Sequence, residues 1–281
     1  MHVVSVVSTK GGVGKTTVAV NLGGLLADAG LRVLLLDLDS QPTLSSYYSL
    51  SQKAQAGAYE LIAFNLTIPE RIISRTAVVG LDLIFSNDDQ DRLSTLLLHA
   101  PDGRLRLHNL LNDLHLNYDL LLIDTQGARS VLLEMAILAS NLVLSPITPE
   151  MLAAREMRRG TLKLLSELEP FRHLGIDPPP LRLLLNQVNL NRLDTQMIIR
   201  SLRETFAEAT NISVLDTVIP DRVAYLNAAS LGLPVHRVDA RPSSKRRRSQ
   251  SALEIMQALA IELFPEWREA ISSVTRCAEL R

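Results

Sequence analysis

The stretch SVVSTKGGVGKTTVAV, residues 5–20, constrains this chain more than any other. A short apolar run at residues 3–8 enters a loop holding Gly11, Gly12 and Gly14. That loop opens into residues 16–29, where Val20, Leu22, Leu25, Leu26 and Ala29 form an apolar helical stripe that stops at Gly30. Strand, glycine loop and helix in this order converge backbone N–H groups and the positive end of a helix dipole on one point, which suits an anion. The glycines let the backbone close around a phosphate without side-chain obstruction. Lys15 is spaced to reach the β/γ-phosphates, and the Thr16 hydroxyl to bind Mg²⁺. The spacing is K-G-G-x-G-K-[ST] and not G-x-x-x-x-G-K-[ST], because Thr9 stands at the first glycine position. A second lysine, Lys10, remains at the loop entrance.

The rest of the chain repeats the strand–helix alternation. Apolar runs at 3–8, 33–36, 81–85, 120–123, 142–147, 181–185 and 214–219 are nearly continuous, as expected of parallel strands covered on both faces. Helical patterns occupy 16–29, 130–139, 150–167, 193–209 and 249–264, with Thr148 and Pro149 placed as N-cap and first helical residue ahead of the third. Residues 45–80 and 88–117 read as mostly helical excursions, and the proline run 178–180 as a turn. The expectation is a single α/β domain over residues 1–281, a doubly wound, mostly parallel sheet flanked by helices.

Net charge is −1, so no global field draws the chain to nucleic acid or membrane, yet the charge is uneven. Residues 222–248 hold Arg222, Arg237, Arg241, Lys245, Arg246, Arg247 and Arg248 against Asp239 alone. The single cysteine, Cys277, excludes a disulfide framework and a cysteine-based metal site. With no secretory pattern at the N-terminus and no apolar run long enough to span a bilayer, the expectation is a soluble protein of a reducing cytoplasm.

Two further segments carry carboxylates. In RVLLLDLDSQPT, Asp37 and Asp39 are two apart at the C-terminal end of a parallel strand, where they share one face and point into the crevice that binds ligands. In YDLLLIDTQGA, Asp124 follows an apolar run and is suited to stand behind Mg²⁺. The six histidines lack ligand spacing, so phosphoryl transfer to water would rely on positioning and charge, without a protein nucleophile.

With these motifs the chain resembles the ParA/MinD family of deviant Walker A ATPases, and within it the ParA-type DNA-partition branch. The resemblance implies that Gly11, Gly12, Val13, Gly14, Lys15, Thr16 and Thr17 bind the phosphates of ATP. Lys10 would reach across a dimer interface to the partner's nucleotide, so that nucleotide state becomes oligomeric state. Asp39 would position or activate the attacking water, while Asp37 supports the Mg²⁺ shell and Lys15. Asn186 would hydrogen-bond the adenine, with Pro220 and Asp221 flanking it. Ser40 replaces the proline of the family's D-x-D-P-Q block, and Asp124 is followed by Thr125, Gln126 and Gly127 where the family has D-x-P-P or D-x-P-G, which leaves the role of Gln126 open.

The stretch from 218 to 263 resembles the family's C-terminal block, whose basic residues bind DNA without sequence preference. Arg222, Lys245, Arg246, Arg247 and Arg248 are the candidates here, since adjacent cations contact phosphates and read no bases. The implied function is a slow, partner-stimulated partition ATPase: an ATP-dependent homodimer on nonspecific double-stranded DNA, released by a ParB-like centromere-binding protein, cytoplasmic and nucleoid-associated. The alternative is a MinD-like positioning ATPase acting at a membrane or on a protein complex. The segment FPEWREAISSVTRCAEL, with mixed charge and a thin stripe of Trp267, Ile271 and Val274, is expected to cap the core and not to bind membrane. A first strand beginning at residue 3 argues against an operator-reading helix-turn-helix extension.

Overall fold

The computed structural model describes residues 1–113, 117–150, 155, 157–189, 192–240 and 250–275. Nine strands form one sheet: β1 (His2–Val6), β2 (Val33–Asp37), β3 (Leu50–Gln52), β4 (Ser74–Thr76), β5 (Leu81–Ile84), β6 (Leu120–Asp124), β7 (Leu142–Ile147), β8 (Leu181–Val188) and β9 (Ile212–Pro220). Their order is β3-β4-β5-β2-β6-β1-β7-β8-β9. From β5 to β9 every pairing is parallel, which matches the seven continuous apolar runs. All five residues of β2 and of β6 are buried, because helices cover both faces of the sheet.

The first helix, α1 (Lys15–Asp28), lies on one face with Ala252–Leu263, their packing anchored by Leu22, Leu25, Leu26, Met256 and Leu259. The opposite face carries Ala58–Phe64, Arg92–His99, Arg106–Asp113 and Val131–Leu138 over Leu34, Leu36, Leu121 and Ile123. Ser130 caps Val131–Leu138 by accepting from the Leu133 N–H, and Ser251 forms a capping box with Glu254 at Ala252–Leu263. A third cluster under β7 and β8 packs Leu183 and Leu185 against Leu164, Leu202 and Phe206.

Three local expectations are corrected. Residues 45–80 are not mostly helical, since they contain β3 and β4, which extend the sheet as antiparallel edge strands. These strands are three residues long and polar but for Leu50, too short for periodicity to register. Buried Thr76 is held by its hydroxyl donating to the Leu81 carbonyl (2.6 Å), and Ser74 Oγ accepts from Ala54 N–H (3.0 Å). The helix expected over 150–167 does not begin at Thr148 and Pro149, which continue without helical structure through Glu150. Where it is described it contains a π-helical turn, Arg158–Leu162, ahead of Lys163–Leu168. The helix expected over 249–264 spans Ala252–Leu263, because the cap falls at Ser251. In the described part of the segment after it, Ile271 and Val274 are buried against the core and Trp267 packs beside them.

Candidate nucleotide-binding site

The C-terminal ends of the parallel strands meet above β1, and the glycine loop sits there. Gly12 and Gly14 adopt left-handed backbone, with φ of 76° and 85°. Gly14 is the N-cap of α1 and offers no side-chain acceptor, and the first turn carries no acid. The first N–H groups of a 14-residue helix therefore point into the loop without a capping side chain, an arrangement that favours an anion. A Cβ at Gly127 would lie 2.8 Å from Gly11 Cα, so the loop after β6 can approach the glycine loop only because residue 127 lacks a side chain.

Around this loop the structure brings together residues distant in sequence. Thr16 Oγ1 donates to Asp124 Oδ2 at 2.6 Å. Asp124 is fully buried, and among the described residues its Oδ1 has no hydrogen-bond partner. Burial, followed by the negative charge of Asp37, pushes its carboxyl up to about 7. Lys15 is 7% exposed; burial lowers its pKa, while Asp124 and Asp39 oppose that shift. Asp37 lies beside Asp124 in the parallel register of β2 and β6.

The expectation that Asp37 and Asp39 share a strand face is corrected, because β2 ends at Asp37. Its Oδ1 accepts from the Asp39 N–H (3.0 Å), and its Oδ2 from Ser45 N–H (2.8 Å) and Ser45 Oγ (2.6 Å). Burial raises the Asp37 carboxyl to about 6 despite these bonds. Asp37 thus organises the 39–45 turn. Half-buried Asp39 stands in that turn, accepting from the Gln41 N–H at 2.9 Å.

Lys10 has different surroundings. Its N–H donates to Ser8 Oγ (3.1 Å), and its Nζ lies 2.7 Å from Glu150 Oε2, a bond that lowers the Glu150 pKa. Sequence reasoning missed Glu150, although an acid just beyond the C-terminal end of β7 was a detectable signal.

A pocket of about 150 Å³ adjoins Gly14 and Thr17 and is lined by Asn186, Pro220, Asp221, Tyr225 and Met256. It gathers the residues expected around the base and adds Tyr225 and Met256, which the sequence did not single out. Asn186 Nδ2 is engaged by the glycine loop, donating to the Val13 carbonyl at 2.7 Å. A larger cavity of about 960 Å³, bordered by Glu150, Gln187, Asn189 and Met197, includes no residue of 11–17, whereas the smaller pocket includes Gly14 and Thr17. The smaller pocket is therefore the one that continues the phosphate loop.

Arg222, expected to meet DNA, is turned inward. Its side chain is 19% exposed, with Nη1 donating to Asp239 Oδ2 at 2.9 Å and Nη2 to the Gln250 carbonyl. It ties the end of β9 to both flanks of the basic segment. Lys245, Arg246, Arg247 and Arg248 lie outside the described residues.

Comparison with known proteins agrees with this geometry. A family model described as an AAA domain matches residues 1–173. The chromosome-partitioning ATPase Soj of Thermus thermophilus is 33% identical over 82% of this chain and 85% of that protein. Its namesake in Treponema pallidum is 30% identical over 89% and 95%. A solved ATP complex of Cyanothece McdA superposes with a TM-score of 0.75 at 21% identity, covering 100% of this chain and 99% of the other, a likeness of fold. Fold and site together define a P-loop ATPase. The chain belongs to the ParA/Soj family of partition ATPases.

Proposed function

We propose that this protein is an ATP-dependent DNA-partition ATPase whose ATP-bound sandwich dimer holds nonspecific DNA until hydrolysis, stimulated by a ParB-like partner, releases it. The observation that carries the reading is the division between two lysines on one loop. Lys15 is buried beside Asp124, while Lys10 stands at the entrance on Glu150. One cation is built into its own phosphate site. The other is placed where a second protomer's triphosphate could recruit it, and two facing triphosphates need such neutralisation.

The residues also fit Mg²⁺. Beside the Thr16 hydroxyl, the buried Asp124 carboxylate keeps one oxygen that has no hydrogen-bond partner among the described residues and that a cation's shell could satisfy. Among the described residues no three His, Cys, Asp or Glu side chains form a metal cage of their own, so the ion would be shared with phosphate oxygens. When bound, Mg²⁺ would neutralise charge on the phosphates, with Thr16 holding it directly and Asp124 behind it. Lys15 would orient the terminal phosphates, and Asp39 would accept a hydrogen bond from the attacking water.

Among the described residues no helix is long and apolar enough to cross a membrane. The last described helix, Arg268–Ser273, buries Ile271 in the core. The test is binding to random-sequence DNA with ATP, ADP or no nucleotide, at two salt concentrations. Binding with ATP alone and a steep negative salt slope is expected. Equal affinity with ADP and ATP, or binding to anionic vesicles without DNA binding, would overturn the proposal.

A further inference from the structure

β8 does something at its C-terminal end that a regular strand cannot. Consecutive side chains on a strand point to opposite faces, yet Asn186 and Gln187 both reach the glycine loop. Asn186 Nδ2 donates to the Val13 carbonyl at 2.7 Å, and Gln187 Nε2 to the Gly12 carbonyl at 3.2 Å. The backbone explains how. Gln187 has φ +56°, left-handed for a residue that is not glycine, and the β8–β9 register slips between Leu185 and Val188. Leu185 faces Val218 and Val188 faces Pro220, so β8 carries one extra residue there, a bulge. The left-handed turn cancels the alternation and brings two neighbouring amides onto two successive carbonyls.

We infer that Asn186 and Gln187 form a carbonyl clamp that aims the phosphate loop, with Gln187 as a positioning residue. The peptide unit is planar and trans, so holding the Gly12 carbonyl sets the N–H of Val13 in the opposite direction, and holding the Val13 carbonyl does the same for Gly14. The loop then presents those two N–H groups away from β8 before any anion arrives. A left-handed glutamine is strained backbone, and such strain persists where the surroundings hold it in place for a purpose. The occupant is the triphosphate portion of a nucleotide, recognised by N–H donors and not by its base.

The inference rests on the loop binding a nucleotide, and the experiment separates the two readings. Affinities for Mg·ATP and for inorganic tripolyphosphate are measured on wild type, Gln187→Met and Gln187→Gly, together with thermal unfolding. Gln187 is exposed, so methionine removes the donor without emptying the core. Gln187→Met is expected to weaken both ligands by about three- to fivefold, as for one net hydrogen bond, with unfolding temperature unchanged. Gln187→Gly should show the same loss with an unfolding temperature at or above wild type, since glycine accepts φ > 0. Wild-type affinity for both ligands in Gln187→Met would overturn the clamp. So would a loss confined to ATP, which would mark a base contact, or a loss that tracks a fall in unfolding temperature. Failure of wild type to bind either ligand would overturn both readings.

Discussion

Lys10 and Lys15 flank one loop, five residues apart, and the fold gives them opposite environments. Lys15 is buried against two carboxylates, and Lys10 shares a bond with an exposed acid. A partly exposed ion pair of this kind contributes at most about 1 kcal/mol, so exchange of Glu150 for a partner's phosphates costs little. Lys10→Ala is expected to bind nucleotide as a monomer but to lose ATP-driven dimerisation and most turnover, measured by light scattering and phosphate release. Normal dimers and full turnover would refute the trans role. Asp124 makes the complementary case. A buried carboxylate with an unpartnered oxygen destabilises the empty protein and is relieved when a cation arrives. Asp124→Asn should therefore unfold no earlier than wild type without nucleotide, and should lose the stabilisation that Mg·ATP brings. Scanning fluorimetry with and without Mg·ATP checks this, and a retained ligand-induced rise would remove Asp124 from the site.

At the scale of elements, α1 joins the phosphate loop to the C-terminal half of the chain. Asn21, fully buried within it, donates to the Thr17 carbonyl and accepts from the Val235 N–H at 2.6 Å. Its last residue, Asp28, takes bonds from His236 Nε2 (2.7 Å) and Arg237 Nε (2.7 Å) on Val235–Val238. Burial alone would raise Asp28, but the bonds from Arg237 and His236 win and hold it at about 2, below its ordinary 3.8. A depressed carboxylate stabilises the fold fully above its unfolded pKa and loses that contribution as pH falls through the folded value. The contribution here is about 2 kcal/mol. Asp28→Asn is expected to lower urea stability by about that amount at pH 7, with the gap to wild type closing between pH 4 and pH 2. A gap independent of pH over that range would show that packing, not charge, holds this joint. Elements were legible in proportion to their length. The seven apolar strands announced themselves, whereas β3 and β4, three residues each and polar but for Leu50, gave no period to detect.

At the scale of the molecule, the sheet order places β1, β2 and β6 side by side, so the glycine loop, the 39–45 turn and the loop after Asp124 share one rim. The pocket of about 150 Å³ lies beyond that rim, between the ends of β8 and β9. Beyond it Arg222 binds both flanks of the basic segment through Asp239 and Gln250. Replacing Lys245, Arg246, Arg247 and Arg248 with glutamine is expected to weaken DNA binding on every sequence and to flatten the salt slope by about 0.9 per lost phosphate contact. Mg·ATP affinity should stay at the wild-type value. An unchanged slope would place the DNA-binding surface elsewhere on the molecule.

The chain's order of residues alone determined the phosphate loop, the parallel α/β class and the acids at the ends of strands, because each is written in a dozen contiguous residues and obeys local sterics and periodicity. The tertiary structure decided what those residues meet. It set Thr16 on Asp124, 108 positions away, Lys10 on Glu150, Gln187 on Gly12, and Arg222 on Asp239 in place of an outward-facing role. Such pairings depend on which strand ends lie next to one another and where a bulge reverses a side chain. Those are properties of the packed sheet, which no single segment of the chain encodes.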